Sequence, residues 1–152
     1  MDEPDSDPEA AAREKAIRHL ARREHSRREL YRKLLARFDD PVLINGVLDA
    51  LASEGLLSEE RFTEVFIRQR VAAGYGPLRI RAELSERGVD GGIVDAHLQL
   101  YDDEWTERCH EAWHKRFGEA PQNRREWARQ MRFLTNRGFP SGLAQSIIGD
   151  SQ

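Results

Sequence analysis

The sequence predicts an all-α protein made of three tandem three-helix units. Apolar residues recur with the 3.6-residue period of amphipathic helices, and no segment shows a convincing two-residue alternation over strand length. The same apolar pattern returns three times at a spacing of 50 residues. The positions that align at this spacing are Leu34, Leu84 and Leu134, then Leu43, Ile93 and Leu143, then Leu48, Leu98 and Ile148. Such self-similarity is typical of repeat arrays, whose units bury their apolar faces mainly against neighbouring units.

The first unit, residues 11–55, follows an acidic stretch over residues 1–10 that we expect to be a disordered tail. Ser26 stands where an N-cap is needed, and Glu29 three residues later completes a capping box. The helix that begins there ends at residues 39–41, Asp-Asp-Pro. A third amphipathic helix follows and closes the unit.

The second unit, residues 56–101, starts again with an N-cap serine, Ser58. Residues 74–77, Gly-Tyr-Gly-Pro, interrupt the helical pattern, and Pro77 is suited to the first turn of the next helix because its φ is already helical. Gly88 occupies the position after a helix where a left-handed residue is common. The unit therefore divides into three helices like the first.

The third unit, residues 102–152, has an apolar stripe from Trp105 to Phe117, a break at residues 118–121 and two further helices. Gly138 lies 50 residues after Gly88, and each glycine follows an arginine and precedes an apolar residue. This shared Arg-Gly-apolar motif strengthens the case for true repeats over a chance coincidence of helices.

Composition and charge exclude several classes of protein. The chain has 152 residues with a formal net charge of −3, of which the tail supplies −5, so the remainder carries +2. A near-neutral body differs from the strongly basic surface of a dedicated nucleic-acid binder. No apolar stretch approaches the ~20 residues that a membrane span requires, the acidic N-terminus is unlike a signal peptide, and the single cysteine excludes an internal disulfide.

With these features assigned, the sequence resembles the RecX regulatory proteins over residues 16–148. The segments that carry the resemblance are Ser26-Arg27-Arg28-Glu29-Leu30, Lys33-Leu34, Gly55-Leu56-Leu57-Ser58-Glu59-Glu60-Arg61-Phe62, Arg68, Gly74-Tyr75-Gly76-Pro77-Leu78-Arg79-Ile80, Glu83-Leu84, Arg87-Gly88-Val89, Arg132-Phe133-Leu134 and Arg137-Gly138-Phe139. One position departs conservatively from the family pattern, because Glu59 stands where the family usually has Asp.

The resemblance implies three three-helix repeats in an elongated, curved, solenoid-like body. It also implies a cytoplasmic regulator that binds the RecA recombinase and lies in the groove of the RecA filament on single-stranded DNA. There it would modulate, and mostly inhibit, filament growth, ATP hydrolysis, strand exchange and co-protease activity in recombinational repair and the SOS response. We expect a monomer without enzymatic activity, cofactor, metal or membrane association; a weak direct contact with DNA is left open.

Cationic side chains on the helix faces are the candidate contacts with an acidic groove or with phosphates, because arginine forms bidentate charge-assisted hydrogen bonds with both. These candidates are Arg27, Arg28, Arg32, Lys33, Arg68, Arg79, Arg81, Arg124, Arg125, Arg129 and Arg132. The alternative for each is a solvated helix face with i,i+4 ion pairs. The positions expected to be structural caps and turns are Ser26, Gly76, Pro77, Gly88 and Gly138.

Two other functions remain as alternatives. A stand-alone helical module that binds nucleic acid directly is the first, and the near-neutral body charge weighs against it. The second is a zinc metalloprotease, since His110-Glu111-Ala112-Trp113-His114 matches H-E-x-x-H. The extended form of that motif needs Gly at position 117 and His at position 120, where Phe117 and Ala120 stand. We expect both histidines to lie at the margin of the core and Cys109 to be a small buried hydrophobe.

Overall fold

A computed structural model describes residues 7–150, and within that range the chain is helical without strands. The helices are α1 Pro8–Arg22, α2 Arg27–Phe38, α3 Pro41–Ser53, α4 Glu59–Ala72, α5 Pro77–Glu86, α6 Gly91–Leu98 (followed by a 3₁₀ turn, Gln99–Tyr101), α7 Trp105–Arg116, α8 Arg124–Asn136 and α9 Ser141–Ile148. The all-α prediction is confirmed, and the helices fall into three successive sets of three.

The expected N-terminal tail is described only in part, because residues 1–6 lie outside the described residues. Residues 8–10 belong to α1, which has Pro8 at its first position. The Asp7 carboxylate accepts a hydrogen bond from the amide of Ala10 at 3.2 Å. This N-cap explains why the helix starts within the acidic stretch: an acidic residue satisfies a free amide and complements the positive helix end.

The chain separates into two compact units, and the division falls within α4. Unit 1 comprises the described residues up to Val65 together with Arg87–Val89, and unit 2 comprises Phe66–Glu86 together with the described residues from Asp90 onward. Among residues 7–150, no helix combines the length and the apolar character that crossing a bilayer requires.

In unit 1, helices α1, α2 and α3 pack against each other around one apolar cluster. Its buried members are Ala12, Ala16, Leu30, Leu34, Ile44, Val47, Leu48, Leu51 and Leu57. The predicted capping box is present, since the Ser26 hydroxyl accepts from the amide of Glu29 at 3.2 Å and the Glu29 carboxylate accepts from the amide of Ser26 at 3.0 Å. Reciprocal capping fixes where α2 begins and so which of its faces reaches the core.

In unit 2, helices α7, α8 and α9 pack together around Cys109, Leu134 and Ala144, none of which is exposed. Gln130 is the buried polar residue of this packing. Its side-chain oxygen accepts from the Trp113 indole at 2.8 Å, and its amide nitrogen donates to the Glu119 carbonyl at 3.1 Å. Both ends of the amide are thus satisfied, as burial of a polar group requires.

Two of the turn positions expected in unit 2, Gly76 and Gly138, require glycine. An ideal Cβ on Gly76 would lie 2.6 Å from the carbonyl carbon of Gly138, so only glycine fits between the two chain segments. Gly138 also has φ +103°, a conformation that favours glycine. The same use of glycine occurs in unit 1, where Gly88 has φ +78° and a Cβ there would lie 2.7 Å from Nε of Arg28.

Candidate cationic interface

In unit 1, the candidate arginines of α2 differ sharply in their surroundings. Arg27 is engaged within the unit, with Nη2 2.8 Å from the Asp49 carboxylate and 3.2 Å from Oδ1 of Asn45. Arg28 packs beside Gly88. Arg32 is exposed and pairs with none of the residues that the structure describes. Among these arginines, Arg32 is therefore the best candidate for a contact with a partner, while Arg27 stabilises the fold.

Lys33 is directed inward rather than to solvent. Its ammonium lies 2.9 Å from Nε2 of His25, a buried histidine whose Nδ1 is 3.0 Å from the Arg23 carbonyl. This geometry fits a neutral ring in which Nδ1–H donates to the carbonyl and Nε2 accepts from the ammonium. Burial is the main cause that lowers the pKa of both His25 and Lys33, and the positive charge of Arg23 lowers them further.

In unit 2, Arg79 and Arg81 also have partners within the unit. The Arg79 guanidinium lies 4.3 Å from the centre of the Tyr75 ring and 3.3 Å from Glu83, and Arg81 lies 2.7 Å from Asp95. Burial alone would raise the pKa of Glu83, but hydrogen bonds from Arg70 and Arg79 outweigh it and lower that pKa. Arg68 is exposed on α4.

Helix α8 carries the remaining candidates. Arg124, Arg125 and Arg132 are exposed, and none forms an ion pair with a residue in the described range. Arg129 lies over the Phe117 ring at 5.6 Å. Arg124 and Arg125 occupy the first turn of α8, where the positive end of the helix dipole disfavours cations. Their placement works against helix stability, which favours a role in binding.

Unit 2 also contains a basic cleft that the sequence patterns do not predict. It has a volume of about 210 Å³, and cationic side chains from α7 and from the end of α8 surround it. These side chains are Arg108, Lys115, Arg116 and Arg137. The first three recur on one face of α7 with helical spacing, and this spacing is the signal in the sequence that indicates the cleft. Arg137 comes from 21 residues further along and joins them only through folding.

The H-E-x-x-H segment does not assemble a metal site in the described range. The rings of His110 and His114 stack with centroids 6.2 Å apart, but no group of three potential His, Cys, Asp or Glu ligands occurs among residues 7–150. The expectation that both histidines lie at the core margin was wrong, because both are exposed; Trp105 and Cys109 of the same helix are buried, as the apolar stripe predicts. Cys109 is fully buried as expected, and burial raises its pKa to about 11.

Comparison with known families matches three successive domains to this chain. The first three-helix domain of RecX matches residues 12–50, the second matches residues 58–98 and the third matches residues 102–148. These ranges follow the three sets of helices in order.

Curated relatives and solved structures agree with these matches. The regulatory protein RecX of Pseudomonas entomophila is 51% identical over 143 residues, which cover 93% of this chain and 92% of the relative. That of Halorhodospira halophila is 50% identical over 130 residues, 85% of this chain and 81% of the relative. The crystal structure of RecX from Lactobacillus salivarius has the same fold, with a TM-score of 0.79 at 22% identity over 94% of this chain and 96% of that one. From its helices, its three matched domains and its relatives, the chain belongs to the RecX family of regulatory proteins.

Proposed function

We propose that this protein binds RecA and the groove of the RecA filament on single-stranded DNA, and that it mostly inhibits filament growth. ATP hydrolysis, strand exchange and co-protease activity would fall with the filament. The observation that carries this proposal is the ordered match of all three RecX domains, together with about half-identical relatives over nearly the whole chain.

Inhibition of this kind requires differential binding to one state of the filament, and no catalytic group. Tandem units favour such binding, because several weak contacts on one chain add up to a high overall affinity. We accordingly propose a cytoplasmic monomer that acts without a cofactor and is not an enzyme. The direct DNA contact is proposed as weak, in keeping with the small net charge of the body.

Within the larger set of candidates, we favour the exposed arginines that have neither an ion-pair partner among the described residues nor an aromatic ring beneath them, which leaves out Arg129 over Phe117. They are Arg32, Arg124, Arg125 and Arg132. A guanidinium that is not neutralised within its own unit keeps its full charge for an acidic groove or a phosphate. Arg27, Arg79 and Arg81 already have carboxylate partners, so their contribution to binding would require breaking those pairs.

The test is the RecA ATPase on single-stranded DNA, with this protein added before or after filament assembly. We expect inhibition, stronger when the protein is added early if it acts at growing filament ends. Inhibition should weaken as NaCl is raised from low to moderate concentration, because the contacts are electrostatic. No effect on the ATPase in either order of addition would refute the proposal, whereas inhibition unchanged by salt would refute only its electrostatic part.

A matched pair of variants locates the contacts. Arg124→Glu with Arg125→Glu should reduce inhibition about tenfold or more, as expected when charge-assisted contacts become repulsive. Arg18→Glu with Arg22→Glu makes the same change of charge on exposed positions of α1 and should leave inhibition unchanged. Binding to single-stranded DNA without RecA distinguishes the proposed function from the alternative of a stand-alone nucleic-acid-binding module. Tight binding to this DNA would favour the alternative, with the first-turn arginines of α8 as the phosphate contacts.

A further inference from the structure

We infer that the basic cleft of unit 2 receives an acidic segment of a partner protein, with an apolar side chain inserted into the cleft and carboxylates on its rim. The inference deepens the proposed function and rests on it where RecA is taken as that partner. The cleft was not among the contacts expected from the sequence, and its position in unit 2 is set by α4, α7 and α8.

The cleft is lined by apolar and by cationic side chains, which are called its floor and its rim below. The apolar lining consists of Val71, Ala72, Ala112 and Phe133, and the cationic lining consists of Arg108, Lys115, Arg116 and Arg137. Small residues in the floor leave a volume of about 210 Å³, which is large enough for one bulky side chain. An apolar side chain placed there would lose contact with water, while neighbouring carboxylates would meet the surrounding cations.

Two of the cations are available for an acidic ligand. Lys115 is exposed, and neither Lys115 nor Arg116 forms an ion pair with any residue between positions 7 and 150. Arg116 is held in place by Phe117 and Phe133, with its guanidinium 5.4 and 5.7 Å from their ring centres. These ring contacts favour an orientation of the guanidinium beside the cleft.

The other two cations are partly engaged and shape the rim. Arg108 lies 3.1 Å from Glu104, one helical turn before it. Arg137 donates to the Ala73 carbonyl at 3.3 Å and lies over the rings of Tyr75 and Phe133. They leave the rim with an excess of positive charge over the single carboxylate of Glu111 that lines the cleft in the described part of the chain.

The arrangement fits a protein segment better than a nucleic-acid strand. Phosphates would use the rim alone and leave the apolar floor without a partner. Base stacking needs an open aromatic face, but the guanidinium groups of Arg116 and Arg137 lie 5.7 and 5.2 Å from the centre of the Phe133 ring.

The experiment measures binding of the full-length protein to RecA without DNA, to single-stranded DNA without RecA, and to the synthetic peptide Asp-Glu-Asp-Phe-Asp-Glu-Asp. Lys115→Glu reverses the rim charge, and Ala112→Leu fills the floor without changing charge. We expect each to weaken binding of RecA and of the peptide about tenfold, with less than a twofold change for DNA. A peptide in which Ser replaces Phe should bind the wild-type protein about tenfold more weakly. Arg22→Glu is the matched charge control and should bind like the wild type, and circular dichroism checks helical content.

The outcomes separate this inference from the proposed function. If the wild type binds RecA but both variants bind it equally well, the cleft inference is refuted and the proposed function stands. If Lys115→Glu weakens DNA and RecA binding by the same factor, the cleft holds phosphates and the inference is also refuted. If the wild type does not bind RecA, the proposed function fails, and the peptide alone tests the cleft inference. Peptide binding that both variants lose supports the inference, and absence of peptide binding to the wild type refutes it.

Discussion

Gly76 and Gly138 bring two turns of unit 2 into direct backbone contact. The amide of Gly76 donates to the carbonyl of Arg137 at 2.7 Å, and the amide of Leu78 donates to the carbonyl of Gly138 at 2.9 Å. The start of α5 is thereby joined to the end of α8 by main-chain hydrogen bonds, and neither glycine has room for a side chain. Two residues that belong to different repeats in the sequence thus form one structural joint.

Gly138→Ala tests this joint. The new Cβ would lie 2.5 Å from Cβ of Arg79, and the residue would keep a φ of +103° that alanine rarely adopts. We expect the free energy of unfolding to fall by about 2 kcal/mol or more, measured by urea denaturation. Gly142→Ala is the control, since nothing lies within 4 Å of its Cβ position in α9 and alanine favours a helix. Equal destabilisation by both changes would contradict the joint.

Acidification should destabilise unit 1 through His25. Its pKa is lowered in the folded state, first by burial and further by Arg23 and Lys33. The unfolded chain therefore binds more protons below a pH of about 6.5, so stability is greatest above that pH and is lost as pH falls towards the lower folded pKa. His19, whose pKa burial also lowers, acts in the same direction. Urea denaturation between pH 7 and pH 5 measures the loss.

Two histidine variants test whether His25 causes this pH dependence of stability. His25→Gln should reduce the change in stability between pH 7 and pH 5, because the buried His25 no longer takes up a proton and only the half-buried His19 still does. His110→Gln removes an exposed histidine in unit 2 and should leave that change as in the wild type. If His25→Gln keeps the full pH dependence, His25 is not its source.

Cys109 should be unreactive in the native protein. It is fully buried, and burial raises its pKa to about 11, so little thiolate exists at pH 8. We expect reaction with a disulfide reagent such as DTNB to be slower by more than a hundredfold in the native state than in urea. Rapid native reaction would show that α7 opens readily or that the thiol is accessible.

Chelation should leave the protein intact. The exposed histidines His110 and His114 lack a third ligand in the described range, and zinc needs at least three protein ligands in known catalytic sites. We expect purified protein to carry no stoichiometric zinc and its thermal midpoint to move by less than about 1 °C on adding EDTA or after His110→Ala. Stoichiometric metal would restore the metalloprotease alternative.

Substitutions of Arg27 and of Arg32 should have opposite effects: the first should mainly lower stability, and the second should mainly weaken binding. Arg27→Ala removes a partly exposed ion pair with Asp49 and should lower the free energy of unfolding by up to about 1 kcal/mol. Arg32→Ala should change it by less than about 0.5 kcal/mol but should weaken RecA inhibition more than Arg27→Ala does. Urea denaturation and the ATPase assay measure the two effects. The reverse order of the two variants in the ATPase assay would place Arg27 in the interface.

The helices themselves could be predicted from local sequence. Ser26 and Glu29 form their capping box from neighbouring residues, and Pro77 starts α5 because its φ is fixed by its own ring. The three sets of helices followed from apolar spacing and from the repeated Arg-Gly-apolar motif. These features depend on contacts within a few residues, and a sequence displays such contacts directly.

The candidate site depended on contacts between distant residues. Nothing near Lys33 in the sequence shows that it turns towards His25, and only folding brings Arg137 beside Arg116 to complete the cleft. The sequence by itself determined the all-helical repeats, their caps and the family to which the chain belongs. Tertiary structure decided which cations are neutralised and which are free, because a charge is paired or exposed according to what packing places within a few ångströms of it.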